Sequence, residues 1–168
     1  YWQILPLVPP GGGDSPYMSP SSFAGNPLFL DLDALAEEGL LTPQELESAR
    51  CPDPDRIDYA WLHQTRTPLL RQTWERAREK YTEKVEEFLE EEKSWLPDYA
   101  LFMAVRAKYD GAELKDWPHE VRTREPETMK ALKEELADRC LYYAFLQYLF
   151  FQQWTALKKY ANDRGILI

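Results

Sequence analysis

The sequence predicts an α/β fold in which two short strands, one near each end of the chain, are joined by a mainly helical excursion. Three observations carry this. Residues 1–7 (YWQILPL) form a short run of β-compatible residues, and Ile166, Leu167 and Ile168 begin another. Between them, apolar residues recur at steps of three and four, the spacing of one helix face. A parallel strand pair needs a crossover helix between its members, and the order strand, loop, helices, strand supplies one.

Taken in order, the first run is stopped by Pro6, Pro9 and Pro10. GGGDSPYMSPSSFAGNPL follows, from Gly11 to Leu28, too rich in Gly, Ser and Pro for helix or strand. A loop that leaves the end of a strand is well placed to present side chains to a ligand. Residues 28–32 (LFLDL) form a second apolar run, and 33–38 read as one or two helical turns ended by Gly39. Thr42, Pro43 and Glu45 then spell a capping box: the hydroxyl accepts from the backbone three residues on, and the carboxylate reaches back. That helix ends before the Pro- and Asp-rich turn CPDPDRIDY.

From Asp58 onward helix dominates. Trp74, Ala77, Tyr81, Val85 and Phe88 share one face, and 86–93 lie largely on the wet side. Pro97 suits a first turn, and 98–109 form the next helix, with Tyr99, Phe102, Met103 and Arg106 on one side. Asp110 and Gly111 end it. Trp117-Pro118 and the basic turn around Arg122 to Arg124 lead to a last helix predicted over 126–162. Its stripe is Met129, Leu132, Leu136, Cys140, Tyr143, Gln147, Phe151 and Trp154. Around 141–151 it is apolar all round, so burial on every side is expected there. Gly165 supplies a left-handed stop before the second strand.

At 168 residues the chain is long enough for one domain with a real core. Apolar residues make up 44 %, which excludes disorder as a description of the whole. Aromatics reach 14 %, which fits either large helix contacts or stacking platforms for a flat ligand. A formal charge of −9 repels phosphate backbones and anionic lipid, so neither nucleic acid nor a membrane surface is expected as partner. A neutral ligand such as a sugar is not penalised. Cys51 and Cys140 are far apart, and only His63 and His119 could join them, so no metal site is expected. Two scattered thiols point to a reducing, cytoplasmic setting. No run approaches the ~20 apolar residues that span a bilayer. The chain has no initiator Met, and no signal peptide is read. A two-stranded parallel remnant leaves open edges and an uncovered apolar face, so the chain is expected to be a segment of something longer.

The sequence resembles the 4-α-glucanotransferases called amylomaltases (glycoside hydrolase family 77). The carrying residues are YWQILPL, then GDSPYMSPSSFAGNPL over 13–28, DYALFMAVR over 98–106, and FLQYLFFQQWTALKKYANDRGILI over 145–168. The resemblance runs through essentially the whole chain in order. It implies a fragment of a (β/α)8 TIM barrel, from the second strand to the start of the third, with a mainly α-helical insertion. On that reading 1–32 hold barrel strand two and an active-site loop, 33–125 the insertion, and 126–168 a long barrel-associated helix and the start of strand three.

The implied activity of the parent protein is retaining transfer of α-1,4-glucan chains between maltooligosaccharides, with no cofactor. Tyr17 looks like the aromatic that stacks on the glucose ring just before the cleaved bond. Asp14 and Ser15 look like sugar-contacting or loop-shaping groups, and closing a turn through side chain–backbone bonds explains them equally well. Asn26-Pro27 looks like a structural turn. No residue of the segment matches a catalytic carboxylate motif of the family, so the segment alone is expected to be inactive. The remainder of the barrel is expected from the same parent chain. The family commonly reads GYGDSPY where this chain has GGGDSPY, so Gly12 replaces an aromatic, and Val8 and Pro10 replace a Gly and a Thr. A truncated, non-catalytic module that binds glucan or a protein through its helices is the alternative reading.

Overall fold

The computed structural model describes residues 1–53 and 55–168. Pro54, inside the Pro- and Asp-rich turn, lies outside the described residues. The chain forms α1 (Leu32–Glu37), α2 (Pro43–Ser48), α3 (Tyr59–Glu91), α4 (Leu96–Lys108), α5 (His119–Arg122), α6 (Pro126–Glu135) and α7 (Ala137–Asn162). It divides into two compact units, one of Tyr1–Tyr81 with Leu146–Ile168, the other of Thr82–Phe145.

The two expected strands do not form among the described residues. The ends do meet, through the Trp2 N–H donating to the Leu167 carbonyl at 2.8 Å. One such bond is not a ladder. A strand needs successive pairings with a neighbour, and the next anchored carbonyl of the first segment, Leu7, accepts instead from Asn26 N–H at 2.8 Å.

In the first unit, Asp31 caps α1 by accepting from Asp33 and Ala34 N–H, and Gly39 (φ 75°) turns the chain left-handed after it. The capping box of α2 is complete, with Glu45 N–H on the Thr42 hydroxyl and the Glu45 carboxylate on Thr42 N–H. Arg76 of α3 grips that carboxylate through both oxygens at 2.7 Å and also donates to Leu40 O at 3.1 Å. Tyr81 donates to Glu38. Of the face predicted for α3, Trp74, Ala77 and Tyr81 are core residues of this unit; Val85, in the second unit, is buried too, and Phe88 is half-buried. The helix continues through Pro68, which removes one backbone donor from its interior.

In the second unit, Leu101, Ala104 and Val105 of α4 pack with Trp117, Val121, Leu132 and Leu136. Trp117 keeps its indole N–H satisfied on Ala112 O at 3.0 Å. The single helix expected over 126–162 is two. Leu136 steps out of helical geometry (φ −101°, ψ 11°) while bonding back to Leu132 O, and Cys140 N–H in turn bonds Leu136 O. Both Leu132 and Leu136 are buried in the same cluster, so the joint keeps this stripe on its core. In α7 the belt over 141–151 contains no exposed residue. Among the described residues, no helix is long and apolar enough to cross a membrane.

Candidate functional site

Residues 11–31 of the first unit are built from tight turns whose polar groups are satisfied locally. Asp14 N–H donates to Gly11 O, and Gly11 N–H and Met18 N–H both donate to Ser15 O, each at 3.2 Å. The chain is left-handed at Gly13 (φ 68°) and again at Asp14 (φ 58°), a conformation that Gly adopts freely and that Asp tolerates better than most residues. Ser15 Oγ accepts from Tyr17 N–H at 3.3 Å, and Pro16 opens the 3-10 turn Pro16–Met18. Ser19 Oγ donates to Ser21 O at 2.7 Å, and Ser21 Oγ accepts from the N–H groups of Phe23 and Ala24 at 3.2 and 3.1 Å. Short hydroxyl side chains stand in here for the backbone partners a helix or sheet would supply.

Four anchors then fix the second half of the segment. The buried Gln147 amide makes a two-way pair with Gly25, accepting from its N–H at 2.7 Å and donating to its carbonyl at 3.0 Å. Gly25 also has to be glycine for space, because a Cβ there would fall 2.0 Å from the Phe150 ring. Asn26 bonds Leu7 through its backbone and caps Leu28 N–H with its side chain at 3.0 Å. Arg66 donates through one Nη to Leu28 O at 2.8 Å and Leu30 O at 3.1 Å. Burial lowers the pKa of this guanidinium and the nearby Asp31 charge acts the other way; an arginine stays charged regardless. Gln153 repeats the two-way pairing on Asp31, at 2.8 and 3.3 Å.

On this scaffold Tyr17 stands 74 % exposed. A tyrosine ring held outward offers an apolar face for the C–H face of a sugar and a hydroxyl that still donates. Ser15 is half-buried, with its hydroxyl engaged in the turn under Tyr17. Asp14 is exposed and lines a cleft of about 520 Å³ with Asp53, Arg56, Asp58, Tyr59 and Trp61, a mixed polar and aromatic wall that Tyr17 does not join. Asn26 sits in the structural turn expected of it. Among the described residues, no group of three or more His, Cys, Asp or Glu side chains could hold a metal ion. Sequence reasoning missed Gln147, Gln153 and Arg66. The signal for Gln147 was there, a lone amide within an apolar helical belt, because a fully buried amide requires partners.

The fold places the chain in the class of amylomaltase-like proteins. The structure superimposes on an amylomaltase from Streptococcus agalactiae in complex with acarbose with a TM-score of 0.92 and 37 % identity, covering 98 % of this chain and 34 % of that one. In sequence it is 41 % identical over 169 residues to a 4-alpha-glucanotransferase of Clostridium butyricum and 43 % identical over 172 residues to one of Thermus thermophilus. A family model described as 4-alpha-glucanotransferase matches residues 1–168. The chain therefore belongs to the 4-alpha-glucanotransferase family, glycoside hydrolase family 77. It spans about a third of the length of the curated relatives it matches, 35 % and 34 % for these two.

Proposed function

We propose that this chain supplies one wall of the sugar site of a 4-alpha-glucanotransferase, an enzyme that passes α-1,4-glucan chains between maltooligosaccharides by a retaining mechanism. The observation that carries the reading is Tyr17, exposed on a loop closed by local hydrogen bonds at Gly11, Asp14, Ser15 and Met18, in a chain that superimposes on an acarbose-bound amylomaltase. A ring held in place before the ligand arrives costs little further ordering on binding. Tyr17 stacks on a glucose unit, Ser15 holds the turn beneath it, and Asp14 meets sugar hydroxyls from the adjoining cleft.

Retaining transfer requires two carboxyl groups about 5 Å apart across the glycosidic bond. No residue of this chain is assigned to that pair, so the chain alone turns over no substrate. Family members carry about three times this length of polypeptide. An apolar groove of about 560 Å³, lined by Trp2, Phe29, Phe150, Trp154 and Leu157, is the surface on which we expect that further polypeptide to pack. Residues 1–7 and 166–168 become the second and third strands of a (β/α)8 barrel once neighbours complete their ladders. Two free thiols fit a cytoplasmic setting.

The test is a titration of the isotopically labelled chain with acarbose, followed residue by residue by NMR. Shifts centred on 11–18 and on the Asp14 cleft are expected, with millimolar or weaker affinity, because a single wall leaves the sugar largely solvated. Shifts confined to other surfaces, or none at saturating sugar, would overturn the reading.

A further inference from the structure

We propose that Gln147 is a positioning residue: its buried side-chain amide sets the register of the loop over 11–28 and so the standing of Tyr17 toward a sugar. The sugar half of this rests on the function proposed above; the loop-holding half does not.

Three features single Gln147 out. It is fully buried, and both polar atoms of its amide go to one residue, with Nε2 donating to Gly25 O and Oε1 accepting from Gly25 N–H. This is the pairing one strand makes with another, delivered by a side chain. Gly25 is also pressed against Phe150, one helical turn along α7, so that the glycine is held by polar bonds and by close packing together. Finally, a chain of short-range bonds runs from Ala24 back through Ser21 and Ser19, and a second set ties Ser15, Tyr17 and Met18. A slip at Gly25 would therefore be felt along the stretch that bears Tyr17. Gln153 holds Asp31 in the same way, but Gln153 is only half-buried and its clasp lies beyond the turn at Asn26.

The chemistry of the clasp provides its own test. A leucine at 147 fills the space and leaves both Gly25 groups unpaired, whereas a carboxyl group reproduces the amide only while protonated, with O–H replacing N–H. Burial raises the pKa of such a carboxyl, so the protonated form persists well into the range where exposed carboxyls are ionised. Arg66 and Asp31 are the charged groups on the neighbouring anchors, and both are present in every variant. Differences between variants therefore belong to position 147.

The experiment measures amide hydrogen exchange, without sugar, in wild type, Gln147→Leu and Gln147→Glu at about pH 5 and about pH 9. In Gln147→Leu, exchange over 17–25 is expected to quicken about tenfold or more while 100–105 hold their wild-type rates. Gln147→Glu should match wild type at the lower pH and Gln147→Leu at the higher one. The proposal is overturned if Gln147→Leu keeps loop exchange within about twofold of wild type. It is equally overturned if the carboxyl variant gives the same loop protection at both pH values, or if exchange rises as much over 100–105 as over 17–25, which would make Gln147 an ordinary core residue. A loop that loosens as expected in a chain that acarbose never shifts would sink the sugar reading and leave the clasp intact.

Discussion

Residues 11–31 and the unit Thr82–Phe145 reach order by different routes. In the loop, a few backbone–backbone turn bonds are joined by side chains that satisfy other backbone groups one at a time: the hydroxyls of Ser15, Ser19 and Ser21, the amides of Gln147 and Gln153, and the guanidinium of Arg66. Ala24 and Leu30 are buried, but its larger side chains Tyr17, Met18, Phe23 and Phe29 are left largely exposed. In Thr82–Phe145 the backbone is satisfied within helices, and side chains such as Leu101, Val105, Trp117 and Leu132 are spent on each other. Apolar burial is large and undirected, while a hydrogen bond adds only about 1 kcal/mol net but fixes direction. The comparison teaches that the helical unit is organised for stability and the loop for geometry.

The largest effect belongs to the helical unit. Trp117→Ala should cost about 3–5 kcal/mol by urea denaturation, since it empties a buried aromatic site in that cluster. A cost below about 1 kcal/mol would break the contrast. Next is Gly25→Ala, which drives a methyl into the Phe150 ring. Overpacking of this kind costs about 1–3 kcal/mol, and the chemical shifts of 17–25 should change more than those of 100–105.

Smaller again is Glu45→Gln. The Arg76 guanidinium and the Thr42 N–H hold this carboxyl at about 2, down from 4.5. A depressed carboxyl pKa contributes stability that is complete above the unfolded value of 4.5 and fades as pH falls toward 2. With solvent around the pair discounted, the substitution should cost about 1 kcal/mol at neutral pH. The gap between variant and wild type, read from urea midpoints, should close on acidification. A gap independent of pH would contradict the pairing. The smallest effect on stability is Tyr17→Ala, within about 0.5 kcal/mol because the ring is exposed. That same change should abolish most of the acarbose response.

Much of this was legible in the residues. The capping box at Thr42, the stop at Gly39, the buried face of α3 and the belt over 141–151 all follow from local chemistry and spacing. The loop was legible as a loop because Gly, Ser, Pro and Asp favour turns, and the exposed ring stands within it. Two things were not. Strands over 1–7 and 166–168 were expected from composition, but a strand is a property of a pair, and these two segments share one backbone bond. The anchors Gln147, Gln153 and Arg66 grip carbonyls and N–H groups, which every residue carries, so no pattern of residue types announces the partner. The joint at Leu136 was hidden for a related reason, since the apolar spacing continues unbroken across it.

The central claim is that the loop holds Tyr17 outward for a sugar ring. Its most direct test is the fluorine NMR signal of Tyr17 in fluorotyrosine-labelled chain, assigned with Tyr17→Phe, as maltotriose is added. The account predicts a sharp single line that moves progressively with sugar while the buried Tyr81 and Tyr99 lines stay still. A Tyr17 line that never moves, or that moves only together with those buried tyrosines, would contradict it.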